Sequence, residues 1–190
     1  MLDNVPLQPS EDDALMEQFC RGDERAFEIL YARHAPPVLA FLVRMVRDSA
    51  LAEDLLQTTF LSVVRARRRY QPGTTVRGWV FAIAANAGRD ALRRRRARPD
   101  RLSTTGAPPD VPAQPEAAAD PPAERAVRSA LMHLPIDQRE AVVLHKMHEL
   151  SFEEVATALG ITVGAAKVRA HRGYQRLREL LAPLGLEGLP

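Results

Sequence analysis

The chain has 190 residues, enough for one ordinary domain or two small ones joined by a linker. Its 26 basic and 24 acidic residues leave a formal charge of +2, and a 46% apolar share supports a packed core and excludes wholesale disorder. The single cysteine, Cys20, excludes an internal disulfide and a Cys-rich zinc module, while the acidic, polar start and the lack of an apolar run of ~18 residues speak against a signal peptide or membrane span and for a cytoplasmic chain.

Apolar residues recur at three- and four-residue spacing from Asp12 to Ala32, at Leu15, Phe19, Ala26, Phe27, Leu30 and Tyr31, which predicts helix. Leu39, Phe41, Leu42, Val43 and Val46 continue the pattern to a break near Asp48–Ser49. Leu51, Leu55, Leu56, Phe60, Leu61 and Val64 form a third stripe, which stops at the turn Gln71-Pro72-Gly73. On that stripe Glu53, Asp54 and Gln57 share neighbouring turns. An acidic face repels nucleic acid and suits a protein partner that carries arginines, or it is an ordinary solvated surface.

A fourth helix is expected from Trp79 to Arg98. Between Arg65 and Arg98 there are 11 arginines and one acid, Asp90, a local excess of basic charge that the overall total hides. Tyr70 precedes the Pro-Gly turn, Trp79 and Phe81 follow it, and Asn86 lies two helical turns beyond Trp79. Aromatic rings for stacking, an amide for base edges and arginines for phosphates are the equipment of a single-strand binder. Taken alone, Trp79 reads as a core residue, and the loop residue Tyr70 is the better candidate for contact with a splayed base. An arginine run alone reads as a solvated charged face.

Seven of the 15 prolines fall between Pro99 and Glu124, with five acids, one arginine and no aromatic residue. This composition cannot bury enough apolar surface to offset its ordering entropy, so 99–123 reads as a flexible linker between blocks at 10–98 and 124–183. In the second block, helices are expected at Glu124–Leu134, Pro135–Met147, Phe152–Leu159 and Val163–Leu181. Ser151 with Glu154 forms a capping box, and Gly160 suits a helix end. The fold class is all-α, in two small helical domains.

Residues 151–180 have the signature of a helix-turn-helix. Ala156 lets the second helix approach, Gly160 takes the turn, Ile161 fills the junction, and Ala166 and Ala170 face inward. Lys167, Val168, His171 and Arg172 share the outer face, the one that enters a major groove. Arg169 and Arg176 suit phosphates better than bases. His145 and His148, with His133 upstream, lack the cysteine or carboxylates that would complete a metal site, so no metal or cofactor is expected. Cys20 falls among apolar positions and reads as core. No set of residues has the spacing of a catalytic site, and the chain reads as a non-enzyme.

The chain resembles the extracytoplasmic-function sigma factors of the sigma-70 family, bacterial RNA polymerase initiation factors. AEDLLQTTFLSV (52–63) looks like their core-polymerase-binding segment. RGWVFAIAANAGRDALRRRRAR (77–98) is similar to their −10 segment, with its Trp-x6-Asn-x3-Asp pattern followed by arginines. Residues 134–180 resemble their −35-binding domain. The resemblance implies a region 2-like bundle, a region 4-like helix-turn-helix and the following roles. Asp54, Gln57 and Glu53, with Phe60 behind them, would dock on the coiled-coil of the largest polymerase subunit, and the C-terminal domain on the flap of the second. Tyr70, the loop 71–76, Trp79 and Asn86 would capture an unstacked −10 base. Arg77 and Arg93–Arg96 would hold the backbone. Lys167, Val168, Arg169, His171, Arg172 and Arg176 would bind the −35 element, the acidic linker would thread the RNA exit path, and an anti-sigma factor would restrain the free protein. The family's Gly-Thr-Val is here Gly164-Ala165-Ala166, and Val168 replaces a small polar residue, which favours a thymine methyl over a hydrogen bond. Gly173, inside the recognition helix, has no explanation in the sequence. The alternative reading is a two-domain helix-turn-helix regulator that binds an operator without polymerase.

Overall fold

The first helix begins at Ser10, whose hydroxyl accepts the Asp13 N–H at 3.2 Å while the Asp13 carboxylate accepts the Ser10 N–H at 2.9 Å. In the computed structural model, which describes residues 10–71, 75–97 and 121–185, this is α1, Glu11–Cys20. The apolar run expected from Asp12 to Ala32 is divided by a turn at Arg21–Gly22, after which Asp23 caps α2, Glu24–Val46. Pro36 and Pro37 lie inside α2, where each removes one helical N–H donor. α2 is long and apolar enough to cross a membrane, but much of its apolar face is core: Leu30, Val38, Phe41, Leu42 and Met45 are buried.

Asp48 caps α3, Ser49–Ala66, which ends in a 3₁₀ turn, Arg67–Arg69. Thr75 accepts the Gly78 N–H at 3.1 Å at the start of α4, Val76–Ala97. Val76, Val80, Phe81, Ala84, Ala85 and Ala91 are its buried side, and Phe81 meets Phe41 edge-on at 5.6 Å. Residues 98–120 are outside the described residues, and with them nearly all of the expected linker.

The C-terminal helices are α5, Pro122–Met132; α6, Ile136–Val142; α7, Phe152–Leu159; and α8, Val163–Leu181. α7 and α8 have the bounds expected from the sequence. The stretch expected as one helix from Pro135 to Met147 instead widens into a π turn over Val143–Met147. No strand occurs among the described residues, and the all-α expectation agrees with the structure.

The two helical groups pack against each other, with α4 against α7 and α6 near the end of α2. Arg139 of α6 is 7% exposed and donates to the carbonyls of Leu131, Met132 and Leu134 at 2.9–3.2 Å, and across to Met45 of α2 at 3.1 Å. These carbonyls lie at or just beyond the C-terminal ends of α5 and α2, where a helix dipole favours a cation. Arg89 of α4 meets Glu140 at 3.0 Å, Thr75 donates to Glu154 at 2.9 Å, and Arg77 donates to the His148 carbonyl.

Gly173 is where α8 crosses α6. A Cβ there would lie 2.5 Å from Cγ2 of Val142 and 3.3 Å from the Gln138 carbonyl, so the residue is glycine because the helices touch. Gly173→Ala is expected to lower unfolding stability by about 1–3 kcal/mol, the range for overpacking a tight contact, despite the better helix propensity of alanine. Urea unfolding followed by circular dichroism reads the loss.

Candidate nucleic-acid interface

Ser151 starts α7 with a capping box to Glu154, the backbone bond running from the Glu154 N–H to the Ser151 hydroxyl at 3.1 Å. Gly160 ends the helix in the left-handed region, φ 65°, where glycine is unstrained. The Ile161 N–H returns to the Ala156 carbonyl at 3.0 Å, and Thr162 caps α8 by accepting from Ala165. Three residues thus turn the chain from one helix into the next.

α8 is two-sided. Ala166, Ala170, Gly173, Leu177 and Leu181, at steps of three and four, are buried. Lys167, Val168, His171, Arg172 and Arg176 are exposed on the other side, Val168 at 49%. The Lys167 ammonium also lies 5.8 Å above the Phe152 ring. Arg169 is half-buried and leans toward Asp137, at 3.8 Å.

On α4, Trp79 is half-buried, with its ring 5.5 Å from that of Tyr70 at 67°. The Tyr70 hydroxyl donates to Asp13 at 2.5 Å. Burial and this bond push the phenol above its ordinary range. Burial alone would raise the Asp13 carboxyl, but the bonds from Tyr70 and Ser10 outweigh it and hold the group low. The Tyr70 ring is therefore fixed from α1, half-buried rather than free in a loop. Asn86 is exposed and its amide oxygen accepts from Arg89. Arg77 is half-buried; Arg93 and Arg94 are exposed, Arg93 beside Asp90 at 3.0 Å. Of the loop 71–76, residues 72–74 are outside the described residues.

On α3, Glu53, Asp54 and Gln57 are exposed, and Phe60 is buried beneath them, edge-on to Tyr31 at 4.7 Å. Leu61 is 50% exposed and Tyr31 42%. Leu61 lies four residues beyond Gln57, on the same helix face, so the polar patch continues into exposed apolar surface. Both residues belong to the apolar spacing that predicts these helices, and more apolar residues lie on α3 than one buried stripe can hold.

The three histidines considered as a metal set have separate surroundings. His133 pairs with the Ser129 carbonyl, His145 with that of Leu150 while stacking on Phe152, and His148 lies 5.2 Å from Phe81 and 6.1 Å from Phe41. The described residues contain no group of three or more His, Cys, Asp or Glu placed to hold a metal ion. Cys20 is half-buried, with its thiol 3.1 Å from the Arg67 carbonyl.

The family description Sigma-70 region 2 matches residues 30–98, and Sigma-70 region 4 matches residues 124–177. The RNA polymerase sigma factor CarQ of Myxococcus xanthus is 53% identical over 178 residues, covering 90% of this chain and 98% of that one. The chain belongs to the extracytoplasmic-function sigma factors. SigE of Mycolicibacterium smegmatis, a member by name, is 35% identical over 93% of this chain and 71% of its own. Among solved structures, CnrH in complex with the cytosolic domain of CnrY is similar at a TM-score of 0.72, with 29% identity, covering 92% of this chain and 99% of that one. Sigma factors are transcription initiation factors, and a regulator that acts without polymerase is not the family found.

His148 carries a pH dependence. Burial, with Arg44 and Arg77 nearby, lowers its pKa to about 4, so the folded chain keeps the ring neutral where the unfolded chain protonates near pH 6.5. Stability then falls as pH drops from 7 toward 5, by up to about 2 kcal/mol from this group. Comparing melting temperatures at pH 7 and 5, the drop is expected to be larger for the native chain than for His148→Gln.

Proposed function

We propose that this chain directs a bacterial core RNA polymerase to promoters with two separate DNA readers and one docking face. The observation that carries the reading is the two-sidedness of α8: a helix packed through small residues on one side, with Lys167, Val168, His171, Arg172 and Arg176 exposed along the other. That is the form of a recognition helix, whose N-terminal half meets base edges in the major groove. Lys167, His171 and Arg172 offer donors and Val168 an apolar contact for a thymine methyl. Arg176 suits a phosphate. Arg169 serves the same end only after leaving Asp137.

α4 would take the melted −10 strand. Asn86 would read the edge of an unstacked base, with Tyr70 and Trp79 as the aromatic wall beside it and Arg77, Arg93 and Arg94 on the backbone. The T-shaped pairing of Tyr70 with Trp79 supports a preformed wall: fixed rings lose little entropy when a base stacks. The exposed Asp54, Gln57 and Glu53, with Phe60 beneath, would meet the polymerase's coiled-coil, and Leu61 supplies apolar area there. CarQ bears the name of an RNA polymerase sigma factor, and CnrH was solved with the cytosolic domain of CnrY, which favours control of this chain by an anti-sigma factor in the cytoplasm. The chain itself contributes recognition, and bond making stays with the polymerase.

Run-off transcription with purified bacterial core enzyme, with and without the chain, tests the whole reading. Specific transcripts are expected only with the chain; tight operator binding by the chain alone, without transcripts, would overturn it. In the same assay Asp54→Ala with Gln57→Ala is expected to need more than tenfold more chain for half-maximal transcript while melting like the native protein. Arg172→Ala is expected to weaken −35 binding by about 1–3 kcal/mol if the guanidinium meets a base in bidentate fashion. Gel-shift titration of the assembled enzyme measures it.

A further inference from the structure

The proposed DNA readers lie on α4 and α8 and the docking face on α3, yet α1 holds the segment that carries Tyr70 at both of its ends. At the start of α1 the Tyr70 hydroxyl donates to Oδ1 of Asp13 at 2.5 Å, the short distance of an O–H bond to a charged carboxylate. The other oxygen, Oδ2, accepts from the Ser10 N–H and hydroxyl, each at 2.9 Å. The two oxygens therefore have separate duties: Oδ2 closes the helix cap and Oδ1 holds the phenol. These bonds keep the carboxyl low, and the phenol is pushed up, so one stays a charged acceptor and the other a neutral donor. At the far end of α1 the Cys20 thiol lies 3.1 Å from the Arg67 carbonyl, which also accepts the Tyr70 N–H at 3.2 Å. The Arg67 guanidinium lies 5.5 Å from the centre of the Phe19 ring. α1 is itself anchored, with Met16 and Phe19 buried and Asp12 meeting His34 of α2 at 2.8 Å and Arg33 beside it. Asp13 is thus a fixed point, and the side chain it holds is the one that meets Trp79 at 67°.

We propose that Asp13 is a positioning residue for strand opening: it holds the Tyr70 ring against Trp79, so that the aromatic wall is in place before an unstacked −10 base arrives. This rests on the reading of Tyr70 and Trp79 as that wall. The hydroxyl is the tip of the side chain, so a bond there restricts both torsions of the ring. A loose ring would lose its rotamer freedom when a base stacked on it, whereas a tied ring has already lost it on folding. Capture of the base competes with its restacking in the duplex, so the saving favours the open complex and leaves the closed one as it was. A phenylalanine would stack on a base as well as a tyrosine does; the hydroxyl finds its use in the tie to α1.

The test uses the full chain assembled with core enzyme on a promoter that it transcribes. Permanganate oxidation of unstacked thymines reads strand opening, and gel shift at low temperature reads the closed complex. Asp13→Ala and Tyr70→Phe are each expected to lower opening by about fivefold, the scale of one side chain's rotamer freedom, with the closed complex unchanged. The double variant is expected to open no worse than the poorer single one, because both remove the same bond. Asp13→Asn, which keeps an acceptor oxygen, is expected to regain most of the loss. Ser10→Ala weakens the same helix cap but leaves Oδ1 to the phenol, and it is expected to open like the native chain. A loss with Ser10→Ala as deep as with Asp13→Ala assigns Asp13 to capping and overturns the proposal, and so do losses that multiply in the double variant. Tyr70→Phe leaves the cap untouched, so it tests the tie even where Asp13→Ala melts early. Tyr70→Ala separates the two readings. Native opening with Tyr70→Ala removes Tyr70 from the wall, and the positioning role falls with it. Impaired opening with Tyr70→Ala but native opening with Tyr70→Phe overturns the positioning role alone.

Discussion

The packing depends on a buried cation. Arg139 leaves water almost entirely, at a desolvation cost of several kcal/mol. What offsets that cost is its position among backbone carbonyls at the ends of two helices, three from the end of α5 and the turn after it and one from the end of α2. Helix C-termini carry carbonyls without intrahelical partners and the negative end of the dipole, so one guanidinium satisfies groups that would otherwise be orphaned. It fixes the α5–α6 corner, and through Met45 it fixes that corner to the N-terminal bundle. Glu140, the next residue, then has no choice of direction: it faces Arg89 of α4.

α8 is set by a second constraint, close approach. Ala166, Ala170 and Gly173 leave no side chain long enough to hold α8 away from α6 and α7, and Gly173 accepts Val142 at a distance no Cβ would allow. A helix seated through small residues loses little side-chain entropy on its inner side. Val168, His171, Arg172 and Arg176 on the outer side then stay exposed, while Lys167 lies over the Phe152 ring. This separation within one helix lets His171 and Arg172 be varied without loss of the fold. Arg169, between the two sides, is the exception because it also holds Asp137.

Much of this was legible in the sequence because the signals were local. The capping box at Ser151 and Glu154, the turn at Gly160 and the period of α8 depend on neighbours a few residues away, and α7 and α8 have the expected bounds. Gly173 could not be explained from the sequence because its reason, Val142, lies 31 residues away. The division of the first apolar run at Arg21–Gly22 was hidden because Phe19 and Ala26 keep helical phase across the turn. Tyr70 read as a free loop residue, but its partner Asp13 is 57 positions earlier. Arg139 and Glu140 carried a faint signal, two opposite charges entering the apolar run Ala141–Leu144, and only the packing shows what each one meets.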